Sequence, residues 1–336
     1  MCNSDRDECF KVTKKLIDKI KDRVTGTICH YTGIEGFKGI IKSKEIWMTN
    51  ALFVNDRTEL RTSLAGKDDF NDVNFTNPGL FDVFKNIPKL FGAFENNPQK
   101  FESKDVEDYY LASFSRDDNS LDQFRAYGNY CIGFDVRKLK KNTFSLFRCV
   151  YKNSDLKKWI IRKDKLKEWK NSYLNNTEGE HYKKVAFSWI NFACQAKSKN
   201  KHYKSEKEIR LLAVSNSSWG SYTNSPEMYC DQPAIYFRDH NMFNTPIPYV
   251  KFFIPKKSIT RKELGKKVKN KSRFDTKQLI RKMEEEQGRE LLPIDKVIIG
   301  PMQHQEEEVY ATKLFLLENG YDKVSVIPSD IPFRGK

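Results

Sequence analysis

Between residues 27 and 49 the hydrophobic period of this chain changes twice, and that limits what it can fold into. Thr27–Tyr31 is a short apolar run ending in a histidine and a tyrosine. Past Gly33, the apolar residues Phe37, Ile40 and Ile41 recur at helical spacing, which predicts a helix over Ile34–Ser43. Glu45–Thr49 reads as a second strand, carrying Trp47. The same alternation of short elements continues along the chain. Strands are expected at 109–115, 130–136, 144–152, 208–214, 234–237, 250–254, 296–300 and 323–328. Helices are expected at 7–23, 121–127, 156–169, 178–195 and 303–319. Many short strands with helices between them predict an α+β fold, not a doubly wound parallel sheet. Neither G-x-G-x-x-G after a strand nor G-x-x-x-x-G-K-[ST] occurs, which removes the two common phosphate-cradling loops.

The length of 336 residues permits one large domain or two small ones. Hydrophobic residues make up 38% and aromatics 13%, enough to fill a core, so wholesale disorder is not expected. Residues 71–98 interleave Phe-rich patches with Asn-Pro-Gly, Ile-Pro and Asn-Asn-Pro breakers, the pattern of short helices or an inserted subdomain. No run approaches about 18 apolar residues, so no membrane-spanning helix is expected. The first ten residues lack an apolar signal core. Seven cysteines include no Cys-x-x-Cys pair and no zinc-ligand spacing, and Cys29, Cys131, Cys149 and Cys194 sit inside apolar segments. That usage predicts buried thiols in a reduced, cytoplasmic protein.

The formal net charge is +15, which bears on partners and not on fold. Nucleic acid, an anionic cofactor or an acidic partner protein would each benefit from it. Two stretches concentrate the charge: residues 135–170 hold thirteen Lys/Arg against four Asp/Glu, and residues 261–282 hold ten against two. Either can be a solvated helix face or a polyanion contact.

Residues able to do chemistry gather in a few places. His30-Tyr31-Thr32 ends the first strand, and Trp47, Thr49 and Asn50 end the next. Asp56 followed by Glu59 has the spacing of a helix capping box. Glu206, Glu208 and Arg210 alternate, so in one strand all three would share a face. Asp56, Glu59, Glu206 and Glu208 would alternatively suit a divalent metal, as in a nuclease. A non-catalytic module binding nucleic acid or a partner protein is a third reading.

The order of these short motifs resembles a family of bacterial domains grouped with the ADP-ribosyltransferase fold. The residues that carry the resemblance are His30-Tyr31-Thr32, Trp47-Thr49-Asn50, Asn55-Asp56-Glu59-Leu60, Ser113-Phe114-Ser115, Arg125-Tyr127-Gly128, Glu206-Glu208-Arg210 and Ile298-Ile299-Gly300-Pro301. They span residues 30–301. The resemblance implies one domain over residues 1–336, with a split, mixed or antiparallel sheet and helical insertions near 61–108 and 255–292. It implies NAD as a substrate and transfer of ADP-ribose to a macromolecule, and the positive charge favours RNA or single-stranded DNA over protein as that acceptor. It also implies a toxin or anti-phage role with an acidic antitoxin or chaperone as partner. By the same resemblance Glu208 is the catalytic carboxylate, and Glu206 orients the acceptor. His30 contacts the dinucleotide, Tyr31 and Tyr127 are rival stackers for the nicotinamide ring, and Arg125 reaches the pyrophosphate. Thr32, Trp47, Asn50 and Ser113 line the cleft. The Tyr-x10-Tyr helix pattern of the best-known transferases is not evident.

Overall fold

The computed structural model describes residues 24–54, 107–139, 145–151, 197, 199–216, 233–239, 245–257, 267 and 273–333. The chain forms two compact units, one of Met1–Arg23, Asn55–Glu102 and Phe147–Lys204, the other of Val24–Val54, Ser103–Leu146 and Ser205–Lys336. In the first unit the Val150 N–H donates to the Lys197 carbonyl at 2.7 Å, and the Lys199 N–H to the Val150 carbonyl at 3.1 Å. The expected helices at 7–23, 156–169 and 178–195, the Asp56–Glu59 cap and the Pro-broken segment at 71–98 lie outside the described residues.

The second unit carries the sheet. Its strands are β1 (Thr27–Thr32), β2 (Ile46–Asn50), β3 (Glu107–Ser115), β4 (Tyr130–Asp135), β6 (Glu208–Asn216), β7 (Ile235–Asp239), β8 (Pro246–Phe252), β9 (Ile294–Ile299) and β10 (Ser325–Pro328); β5 (Ser145–Arg148), which pairs with β6, has residues assigned to each unit. The described helices are α1 (Ile34–Ser43), α2 (Leu121–Tyr127), α3 (Val136–Leu139), α4 (Arg273–Glu286) and α5 (Gln305–Glu318). The order is β10-β9-β4-β1-β3-β2-β8-β7, with β6 added to β3. Of the strand pairs with a defined register, β10 with β9 is parallel and the others are antiparallel. The fold is thus mixed α+β with a largely antiparallel open sheet.

One pairing positions the site. β6 runs along the whole of β3, from Glu107 opposite Asn216 to Ser115 opposite Glu208. A strand has two edges, so β1 and β2 must share the other. β1 meets it at the C-terminal end, with Cys29 opposite Ser115. β2 meets it further back, with Thr49 opposite Leu111 and Asn50 opposite Tyr110. Between those contacts the sheet splits, and among the described residues none pairs as a strand with residues 112–114 of β3 on that side. The α1 crossover joins the two parting strands.

Alternation along the strands separates two apolar faces. Ile28, Tyr110, Ala112, Phe114, Ile132, Phe134, Ile209, Leu211, Val297 and Ile299 belong to the large core, together with Phe37, Ile40 and Ile41 of α1 and Leu316 of α5. The opposite face holds a smaller cluster of Cys29, Tyr31, Cys131 and Ile298, covered by Phe124 of α2. Two glycines allow α2 to lie there. A Cβ on Gly300 would sit 2.6 Å from Phe124 Cδ1. Gly128 ends the helix at φ +118°, and a Cβ there would meet the Cα of Gly33 at 2.6 Å. Glycine tolerates both the positive φ and the close backbone approach.

Candidate active site at the split of the sheet

The His30 side chain takes the place of the missing strand partner. Its Nδ1–H donates to the Ser113 carbonyl at 2.9 Å, satisfying an acceptor that the parting of β1 and β3 would otherwise leave without a ladder bond. The ring packs at a tilt on Phe114, with centroids 5.6 Å apart. Burial lowers the His30 pKa below its usual value, so the ring is neutral at pH 7. With Nδ1 protonated, Nε2 keeps its lone pair as an acceptor.

Glu208 opens β6 on the far edge of β3 and is 2% exposed. The Ser113 hydroxyl donates to its Oε1 at 2.6 Å. Arg210, two residues on and fully buried, donates from Nε to Oε1 and from Nη2 to Oε2, each at 3.2 Å. Two-point guanidinium contact fixes the plane of the carboxylate and compensates its burial.

Glu206 is placed differently from the expectation that Glu206, Glu208 and Arg210 all share a strand face. It ends a 3₁₀ turn, and Lys207 has φ +45°, so the strand begins only at Glu208. The turn is tied to the loop after β3. The Ser115 hydroxyl donates to the Glu206 carbonyl at 2.7 Å, the Arg116 N–H to the Lys207 carbonyl at 3.2 Å, and Lys207 Nζ meets Asp117 at 2.7 Å. Glu206 still reaches the site from this position: the Tyr127 hydroxyl donates to its Oε1 at 3.3 Å.

The two tyrosines behave differently. Tyr31 is buried edge-on against Phe124, with centroids 5.0 Å apart. Its hydroxyl donates to the Asp117 carbonyl at 2.8 Å and accepts from the Ser120 N–H at 3.0 Å, anchoring the loop between β3 and α2. Burial raises its pKa. Tyr127 is 38% exposed, so its ring face is accessible.

A pocket of about 80 Å³ at the split is lined by Cys29, His30, Tyr31, Ser113, Phe114, Ser115, Gln123, Tyr127, Glu206 and Glu208. Space for roughly five to eight waters suits one ring with part of a sugar, not a dinucleotide. Six residues singled out in the sequence therefore come together: His30, Tyr31, Ser113, Tyr127, Glu206 and Glu208. Thr32, Trp47, Asn50 and Arg125 do not line this pocket. Thr32 packs its hydroxyl against Gly36 of α1. Trp47 stacks on Tyr249 with centroids 4.5 Å apart, and Asn50 is buried. Arg125 faces a neighbouring hollow of about 310 Å³ on the other side of α2, with Leu121, Phe124, Asn129, Pro301, Pro332 and Phe333. Gln123 was missed in the sequence. Its distance of four residues from Tyr127 on an expected helix was the available signal, since such pairs share a face.

Among the described residues, no three His, Cys, Asp or Glu side chains gather as metal ligands, and Asp56 and Glu59 lie outside those residues. No described helix is long and apolar enough to cross a membrane. Comparison of the chain with protein-family models, with curated proteins and with solved structures gives no match. The class defined by fold and site together is a mixed α+β protein with a largely antiparallel sheet and a polar pocket where that sheet splits.

Proposed function

We propose that the chain is an NAD-dependent ADP-ribosyltransferase whose acceptor is nucleic acid, either RNA or single-stranded DNA. What carries the reading is the convergence of neutral His30, the Ser113–Glu208 pair and the accessible ring of Tyr127 on one pocket of ring-and-sugar size. NAD supplies an ADP-ribosyl group joined at C1′ to a cationic pyridine nitrogen. That bond breaks with its electron pair passing to the nitrogen, and C1′ gains positive character. Glu208, held rigid by Arg210 and Ser113, places its negative charge against the ribose and needs little reorganisation as that charge develops. His30 Nε2 accepts from a ribose hydroxyl, and Tyr127 walls the leaving ring. The acceptor amine forms the new bond to C1′ and its proton passes to Glu206. The net charge of +15 draws a polyanionic acceptor, and it equally suits an acidic antitoxin or chaperone. Such an effector would act as a toxin or in anti-phage defence.

The test is incubation with labelled NAD and, separately, total RNA, single-stranded DNA and cell protein. Wild type is expected to label a nucleic acid, and Glu208→Gln to label it roughly 100- to 1,000-fold more slowly. Label on none of the three acceptors, or equal label from the variant, overturns the reading.

A further inference from the structure

Gln123 sits inside the short helix α2 and is 6% exposed. It lines the pocket, yet its side-chain amide makes no hydrogen bond to any described group of the protein. Its neighbours differ in this respect. Tyr31, His30, Ser113, Ser115 and Glu208 all commit polar atoms to partners within the fold. No polar atom of Gln123 is both fully buried and unpaired, so its amide is open to solvent through the pocket and to a molecule bound there. Tyr127 lies one helical turn further on, on the same face, and also lines the pocket. One helical face thus offers a ring wall and, beside it, a donor and an acceptor in one plane.

We infer that Gln123 is the specificity-determining residue for the leaving ring, reading the 3-carboxamide of nicotinamide through a pair of hydrogen bonds. The inference rests on the proposed transferase activity. The Gln123 Nε2–H donates to the carboxamide oxygen, and the carboxamide N–H donates to Gln123 Oε1. An amide is the natural complement of an amide, because each supplies the donor that the other's acceptor needs. The ribose hydroxyls are left to His30 and Glu208. A ring whose substituent has a carbonyl and no N–H leaves Gln123 Oε1 unpaired in the pocket, and sites built to hydrogen-bond a substrate group reject analogues lacking it.

The experiment compares NAD with 3-acetylpyridine adenine dinucleotide, which keeps the carbonyl and lacks the amide N–H, on the full chain. Release of the pyridine base is followed for wild type and for Gln123→Met, a near-isosteric change that removes both hydrogen bonds. Wild type is expected to prefer NAD by roughly ten- to hundredfold in kcat/KM. Gln123→Met is expected to bring the preference to within about threefold, by losing more rate on NAD, which gives up two hydrogen bonds, than on the analogue, which gives up only the one to its carbonyl. The melting temperature of the variant is expected to match or exceed that of wild type, because an unpartnered polar group has been replaced by an apolar one. A lowered melting temperature would show a structural role and overturn the assignment. A variant that folds and keeps the full preference overturns the assignment of Gln123 and leaves the transferase reading standing. A wild type that cleaves neither dinucleotide overturns both.

Discussion

At the scale of the residue, the site depends on side chains standing in for backbone. His30 satisfies the Ser113 carbonyl where β1 and β3 part, and this fixes which of its nitrogens carries the proton. Because burial lowers the His30 pKa, the folded chain resists a proton that the unfolded chain accepts. Stability is therefore lost as pH falls below about 6.5, towards the lower folded value, and is unaffected by this group above it. Denaturant midpoints at pH 7.5 and pH 5.5 should show a smaller difference in His30→Gln than in wild type. An equal difference would remove this account of the ring. Turnover should decline only further into the acid range, as the folded ring itself takes up a proton at its lowered pKa and loses the Nε2 acceptor. His30, Glu208 and Tyr127 could be singled out from the sequence because they end or begin strongly patterned segments. The bend at Lys207 could not, because its positive φ is set by Asp117, Arg116 and Ser115, which lie about ninety residues earlier in the chain.

At the scale of the element, α2 separates the two hollows and sends different residues into each. Gln123 and Tyr127 line one, and Leu121, Phe124 and Arg125 line the other. The helix depends on the Gly300 backbone lying directly beneath Phe124. Gly300→Val should force the ring away, cost roughly 1–3 kcal/mol of stability and lower activity through displaced Gln123 and Tyr127. A thermal melt with a parallel turnover assay checks this, and a variant equal to wild type in both would show that the contact carries no such role. The elements themselves were largely legible. Strand or helix was expected at β1, β2, β3, β4, β6, β9 and α1, α2, α5 within a few residues of where each lies. Short β8 was expected at 250–254 and spans Pro246–Phe252, because proline at an edge of the run masks its start.

At the scale of the whole molecule, the excess of positive charge is the property that bears on the acceptor. Raising salt from 50 to 200 mM should slow nucleic-acid labelling by roughly tenfold or more, because counterion release weakens polyanion binding steeply. Cleavage of NAD without acceptor should change far less. Equal salt dependence of the two rates would remove nucleic acid as the acceptor class. Most of the basic stretches at 135–170 and 261–282 lies outside the described residues, so the prediction rests on net charge alone. The sequence by itself determined the α+β class, the position of most strands and helices of the second unit, and the residue types able to act. Those follow from local period and chemistry, which neighbours in the chain set. Only the tertiary structure decided that the sheet parts between β1 and β2, and that His30, Ser113, Gln123, Tyr127 and Glu208 meet there. Arg125 was turned to the other side of α2 by the same packing. Strand pairing joins residues as far apart as Cys29, Ser115 and Glu208, and no local pattern encodes which edge of β3 each partner takes.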